Sequence, residues 1–421
     1  MRMHLRDYTR ASDVPHYTCA ISPGKHCPLF GVGIVFQGMA GVTLIYIGPQ
    51  DCVYYAQTDT LLRQLAYVRS GGPQVRTLAV QLSDSDLIFG IRPQLEKLLE
   101  KEAQREDTNA VFLVTSCSVE VLSEDLRGTV DAVAARTGKK IALIPIENFK
   151  TFSYFEGTEK ALAALTTGLK PMPRQEKSFA VLGARKRGAD ESEPVRWLME
   201  RGYTLQSILP YETNSEKVNH LPEVAFTLVL EGCGLEVAKQ LERDYDIPYV
   251  RFDRRLDLQH VVHAWRELSV LVGEDREEWI EEQLCEVRQM EEVVSAKVSG
   301  TTFFYNQTTI YPFEACLFLN RLGMEPTCIF QGSVRDKEDE ARLALAERAN
   351  PILWQNANQS AIRNMLEEHL PDYFVGTTSG IIREYPVYAF SFPTGRVDAG
   401  FEYYKACLQR VLTAKRMEGK Q

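Results

Sequence analysis

Between residues 26 and 50 the chain carries no Asp, Glu, Lys or Arg. A run this long must be shielded from water. Its length alone would suit a membrane helix, but its composition argues otherwise. Gly31, Gly33, Gly38, Gly41 and Gly48 punctuate it, Gln37 sits in its middle, and Pro28 and Pro49 bracket it. It is not uniformly apolar. The run reads as a buried helix, a glycine turn and a buried strand, so the chain is expected to be soluble and to carry no membrane span.

The same alternation continues. Short apolar runs at 42–47, 111–114 and 141–146 read as buried strands, with helical segments at 91–105 and 123–137 between them. A second block has strands at 178–182, 226–230 and 249–252, and helices at 192–201 and 235–245. A helical stretch over 267–298 leads into strands at 302–305, 351–354 and 373–375, with helices at 312–322, 359–370 and 402–414. Strand–helix alternation builds parallel sheets. The predicted fold class is α/β, in three blocks over 1–170, 177–265 and 266–421. The polar segment with Pro171 and Pro173 serves as the first linker. With 421 residues, 44% of them hydrophobic, the chain has material for several cores.

Charge removes one class of partner. The 57 acidic residues outnumber the 48 basic ones, for a net charge of −9. Nucleic-acid binders carry basic patches that neutralise phosphates. The densest basic run here, Arg185 to Arg187, is followed at once by Asp190, Glu191 and Glu193, and reads as a solvated loop. Residues 1–18 hold no apolar stretch of the signal-peptide kind, so a cytoplasmic location is expected. No P-loop and no Gly-x-Ser-x-Gly element occurs. His260 and His263, three apart on a helix, have no matching carboxylate set and read as a helix face.

Nine cysteines are present: Cys19, Cys27, Cys52, Cys117, Cys233, Cys285, Cys316, Cys328 and Cys407. An odd count without Cys-x-x-Cys spacing argues against a disulfide framework, a zinc ribbon or a thioredoxin motif. Three sit at informative places. Cys27 precedes Pro28. Cys52 closes the Gly48–Cys52 turn after the strand at 42–47, and Cys117 follows the strand at 111–114. Carboxyl ends of parallel strands converge on a crevice where ligands bind, and iron–sulfur clusters need thiolates in number. On spacing alone, three dispersed cysteines read as structural thiols rather than ligands.

The flanking residues carry a resemblance. Cys27, Pro28, Gly31, Gly33, Gly38, Gly41, Gly48, Gln50 and Cys52 form a Cys…Gly…Gly-x-x-Gly…Gly-x-Gln-x-Cys run. It is followed by Asp84, Asp86, Ile88, Phe89 and Gly90. Thr115, Cys117, Glu120, Val121, Asp125 and Leu126 come next, and Phe392, Pro393, Thr394 and Gly400 last. In this order, over nearly the whole chain, they resemble the nitrogenase component 1 family, most closely its β-type subunits. The resemblance implies three Rossmann-like doubly wound αβα domains and pairing with a homologous α-type chain as an α2β2 assembly. It implies an interface iron–sulfur cluster on Cys27, Cys52 and Cys117, either [8Fe–7S] of the P-cluster type or [4Fe–4S]. It also implies an ATP-dependent iron protein as electron donor. Three thiolates leave a cluster's shell open, for the partner to complete. Asp51 and Ser118 flank the thiols as tuning candidates, and Thr158 lies near where β-type subunits can offer a Ser.

The departures are informative. Active-site α-type subunits hold a catalytic metallocofactor through a Cys and a His. Here that Cys position falls on Leu230, three residues before Cys233, and residues 388–400 contain no His; the nearest, His369, reads as a helix-surface residue. The expected function is therefore a β-type subunit of a nitrogenase-like oxidoreductase, active only with its partner and a separate reductase. The alternative is a scaffold subunit on which a complex iron–sulfur cofactor matures.

Overall fold

The computed structural model describes residues 3–10, 13–14, 27–69, 74–122, 124–147, 154–211, 213–307, 311–331, 339–355, 359–376, 380–395 and 398–418. Cys19 lies outside them. By internal packing the chain forms two units. One comprises residues 23–190 and 197–251; the other comprises 1–22, 191–196 and 252–421. The chain begins in the second of these with a two-residue strand, β1 (Met3–His4).

The charge-free run folds as its composition requires. Pro28, with its fixed φ and absent N–H, opens helix α1 (Pro28–Phe36), and the chain turns through Gly38 and Gly41, both at positive φ. It then forms strand β2 (Val42–Gly48), buried at every position. Helix α2 (Gln50–Arg69), β3 (Arg76–Gln81), α3 (Asp84–Phe89), α4 (Arg92–Ala103), β4 (Ala110–Thr115), α5 (Cys117–Leu122), α6 (Leu126–Thr137), β5 (Lys140–Pro145) and α7 (Tyr154–Thr166) follow. The sheet order is β3-β2-β4-β5, all parallel. Order reverses between β2 and β4, which makes their carboxyl ends the switch point.

The next sheet repeats this plan. It contains β6 (Gln175–Ala184), β7 (Thr204–Pro210), β8 (Val224–Val229) and β9 (Tyr249–Arg251), in parallel order β7-β6-β8-β9. Helices α8 (Glu193–Glu200), α9 (Ser215–Asn219) and α10 (Leu235–Tyr245) connect its strands. One apolar core serves both sheets, running from Leu29, Val32 and Phe36 of α1 through Leu162 of α7 to Val237 and Leu241 of α10.

In the other unit, the stretch over 267–298 is not one helix. Gly273, in the left-handed region, ends α11 (Leu258–Val272), and α12 (Glu277–Val298) starts afresh. Then come β10 (Thr302–Asn306), α13 (Pro312–Arg321), β11 (Glu325–Gln331), α14 (Asp339–Arg348), β12 (Ile352–Gln355), α15 (Gln359–Glu368), β13 (Tyr373–Gly376), β14 (Tyr388–Phe390), α16 (Gly400–Leu412) and β15 (Lys415–Arg416). The sheet reads β1-β12-β11-β10-β13-β14-β15, with β1 and β15 as antiparallel edges on a parallel centre. Its central order is that of a dinucleotide-fold sheet. The architecture is thus three Rossmann-like αβα sheets, mostly parallel, and among the described residues no helix is long and apolar enough to cross a membrane.

Candidate metal centre

The three predicted ligands all lie in the first unit, each at the start of a helix. Cys27 is the N-cap of α1, Cys52 lies in the first turn of α2, and Cys117 is the first residue of α5. Cys52 and Cys117 follow β2 and β4, the two strands that flank the switch point. Register places Ile47 opposite Thr115, and the Ser116 N–H donates to Ile47 O at 2.9 Å. The two thiol-bearing turns therefore leave the sheet side by side. Cys27 reaches the same place by a different route. Helix α1 packs on α7 with backbone against backbone: a Cβ added at Gly157 would lie 2.7 Å from the Pro28 carbonyl carbon, and one at Gly31 would lie 2.9 Å from Tyr154 C. The Thr158 hydroxyl, buried in this seam, donates to Gly31 O at 3.0 Å. Thr158 thus joins the helix that carries Cys27 to α7.

All three thiols are half-buried. Burial pushes the Cys27 thiol up to about 11, against the pull of the Leu29 N–H, and the charges of Cys117 and Cys52 push it further. Burial also raises Cys52, and Cys117 and Asp51 add to the rise. These couplings place the three sulfurs close to one another. Among the described residues no group of three or more His, Cys, Asp and Glu side chains could hold a metal ion. The three thiols are nevertheless donors of the kind that iron–sulfur groups take. The α1 and α2 N-termini present partial positive charge to anionic sulfur, and a cationic iron core supplies the counter-charge that three crowded thiolates need.

Small polar groups brace the centre. Ser116 is 1% exposed, and its hydroxyl lies 3.3 Å from that of Ser118. Thr115 donates to the Glu120 carboxylate. Glu124 accepts the backbone N–H groups of Ile91 and Arg92 at 3.1 Å, which caps α4. On α2, α3 and α5, Tyr54, Tyr55, Leu62, Leu65, Ile88, Phe89 and Val121 all face solvent, Phe89 at 85% and Ile88 at 74%.

Other sequence candidates separate. Cys233 is buried and its thiol donates to Gly183 O at 3.4 Å; Leu230 beside it is fully buried. His260 packs 3.2 Å from Asp253, whereas His263 is exposed beside Glu267, so the two do not converge on one ion. His369 is exposed on its helix end. The basic run at 185–187 needs correction. Only Lys186 and Arg187 face solvent; the Arg185 side chain is largely buried, paired with Glu231 at 2.5 Å, donates to Tyr154 OH at 3.0 Å and lies 4.8 Å from the Phe155 ring centre. Local composition hid this, because Glu231 lies just past β8, 46 positions along the chain.

Residues 27–405 match the family model described as nitrogenase component 1 type oxidoreductase. The chain belongs to this family. It is similar to the nitrogenase molybdenum-iron protein alpha chain of Clostridium pasteurianum, 21% identical over 280 residues, which cover 64% of this chain and 52% of that one. A light-independent protochlorophyllide reductase chain of Chlorella vulgaris is 25% identical over 177 residues, covering 38% and 34%. The nitrogenase iron-molybdenum cofactor biosynthesis protein NifE of Methanococcus maripaludis is 18% identical, covering 70% and 64%. The chain thus spans between about a third and two thirds of the length of these relatives. The solved structure described as nitrogenase Cp1 at pH 5 shares the fold, with a TM-score of 0.62 at 17% identity over 94% of this chain and 91% of that one.

Proposed function

We propose that this nitrogenase-family chain is a β-type subunit that holds an interface iron–sulfur cluster on Cys27, Cys52 and Cys117. What supports the reading is that three helix-starting cysteines lie near one another, two of them just past β2 and β4, in a chain whose family match begins at Cys27. When bound, the cluster, [8Fe–7S] or [4Fe–4S], would accept and release single electrons. The chain's own part is to bury the thiolates, exclude water, and fix their spacing through the Ser116 and Gly157 contacts. Electrons would come from a separate ATP-dependent iron protein and leave for a cofactor on a homologous α-type partner, within a cytoplasmic α2β2 assembly. Two features support a partner. Three thiolates leave a cluster shell incomplete, and the helices that carry or neighbour them expose several large apolar side chains, as interaction surfaces do. The division 1–170, 177–265 and 266–421 assigns the cluster to the first of three domains.

A second reading has its own support. Leu230 stands where an α-type cofactor Cys would be, residues 388–400 lack His, and one relative is named for cofactor biosynthesis. In that reading the chain is part of a scaffold on which the cofactor matures, and the paired complex turns over little substrate.

The test is iron and acid-labile sulfide per chain in anaerobically purified protein, co-expressed with its partner, beside Cys52→Ala. Stoichiometric iron that collapses in the variant is expected. Absence of iron, or iron indifferent to Cys52, would return the three cysteines to a structural role. Reductase assays on the iron-loaded complex then separate an electron-relay role from a scaffold.

A further inference from the structure

We infer that Ser116, seated under Gly48, is a positioning residue that sets the separation of the Cys52 and Cys117 sulfurs. The inference rests on the cluster reading above for its purpose, but its geometry is independent of it. Gly48 and Ser116 are the first residues past the last β2–β4 pair, Ile47 and Thr115. The β2 end is held from both sides: the Gly48 carbonyl accepts the Leu82 N–H at 3.0 Å, and the Ile47 carbonyl accepts the Ser116 N–H at 2.9 Å. The Ser116 side chain, 1% exposed, fills the space that a side chain at position 48 would need. A Cβ built on Gly48 would lie 2.6 Å from the Ser116 Cβ, and closer still to its hydroxyl oxygen.

Both thiols hang from this pair by short, stiff connections. Past Gly48, the Pro49 carbonyl accepts the Val53 N–H at 3.1 Å and starts the turn that holds Cys52. The Ser116 carbonyl accepts the Val119 and Glu120 N–H groups at 3.0 and 3.3 Å and starts the turn that holds Cys117. Carbon atoms in van der Waals contact stand roughly 3.5–4.0 Å apart. A methyl group at 48 therefore forces the two turns apart by about 1 Å. Metal–ligand distances are held to roughly ±0.2 Å, and functional side chains to about 0.5 Å. The displacement exceeds both tolerances. The approach therefore admits only glycine at 48 opposite the Ser116 side chain.

The test uses Gly48→Ala, Ser116→Gly and the double variant, each in the full chain co-expressed with its partner. The first readout is iron per chain, with the electron paramagnetic resonance spectrum of the reduced protein. The second is made on iron-free protein in a Cys27→Ser background: bridging of Cys52 to Cys117 by dibromobimane, which fluoresces strongly once it joins two neighbouring thiols. Gly48→Ala is expected to lose most of its iron and to bridge at least about fivefold more slowly. Removing the Ser116 side chain in the double variant should restore both. Ser116→Gly adds no atom and is expected to fold, with a broadened spectrum. Wild-type behaviour of Gly48→Ala, or a double variant no better than Gly48→Ala, overturns the inference. A wild-type chain without iron sinks the cluster reading alone, and the bridging rates still decide the spacing.

Discussion

Replacing Gly157 by Ala tests the α1–α7 seam, because two general effects there have opposite signs. In a helix interior, Gly→Ala normally stabilises by about 1 kcal/mol. Here the new Cβ would sit 2.7 Å from the Pro28 carbonyl carbon and nearer still to its oxygen, so α1 must move away by about 1.5 Å to reach ordinary contact. Overpacking of this kind costs about 1–3 kcal/mol. Separating the helices also stretches the bond from Thr158 to Gly31 O, which contributes about 1 kcal/mol. The net expectation is a loss of about 1–3 kcal/mol, or a Tm roughly 3–10 °C lower in a unit of this size. Calorimetry on the iron-free chain would measure it, together with the iodoacetamide alkylation rate of Cys27, which should rise as its helix loosens. A Tm equal to or above wild type would refute the reasoning, for the intrinsic preference would then have won and the seam would be slack.

Two other groups make sharp predictions. Burial raises the Glu193 carboxyl to about 7, against the Glu402 and Phe401 N–H groups that favour its charge. A carboxyl raised above its unfolded value contributes stability below about pH 4.5 that is lost as pH climbs through 7. Glu193→Gln should flatten that slope, worth at most about 3 kcal/mol, and identical pH profiles of unfolding for variant and wild type would count against it. Arg185→Met strips the guanidinium from Glu231, whose side chain is 3% exposed. A loss of about 3–5 kcal/mol is expected, with recovery when Glu231 is changed to Leu as well; a urea midpoint that the single variant leaves in place would show the pair to be idle.

The readable parts of this fold were those written locally. The charge-free run resolved into α1, a glycine turn and β2 because each piece has its own signature: Pro28 at a helix start, glycines at positive φ, and an apolar run too short for anything but a strand. The parallel sheets followed from alternation, and Cys52 and Cys117 could be placed at strand ends. What stayed hidden depended on distant partners. Arg185 looks solvated beside Lys186 and Arg187, and only Glu231, 46 positions on, makes it a buried ion pair. The approach of Gly157 to Pro28 and of Gly48 to Ser116 joins segments that say nothing of each other in sequence. The break at Gly273 was visible as a glycine, but an otherwise continuous helical pattern masked it.

The exposed apolar side chains on α2, α3 and α5 bear on how such a chain is kept in a cell. Tyr54, Tyr55, Leu62 and Leu65 lie along α2, with Ile88, Phe89 and Val121 on the neighbouring short helices. A copy that leaves this surface bare offers chaperones and proteases the same cue as a half-folded protein, and offers other bare copies a place to stick. A stability difference of about 1–2 kcal/mol already changes abundance several-fold. Surplus chains would be cleared while covered ones persist, so the level of the protein would follow the supply of whatever covers it.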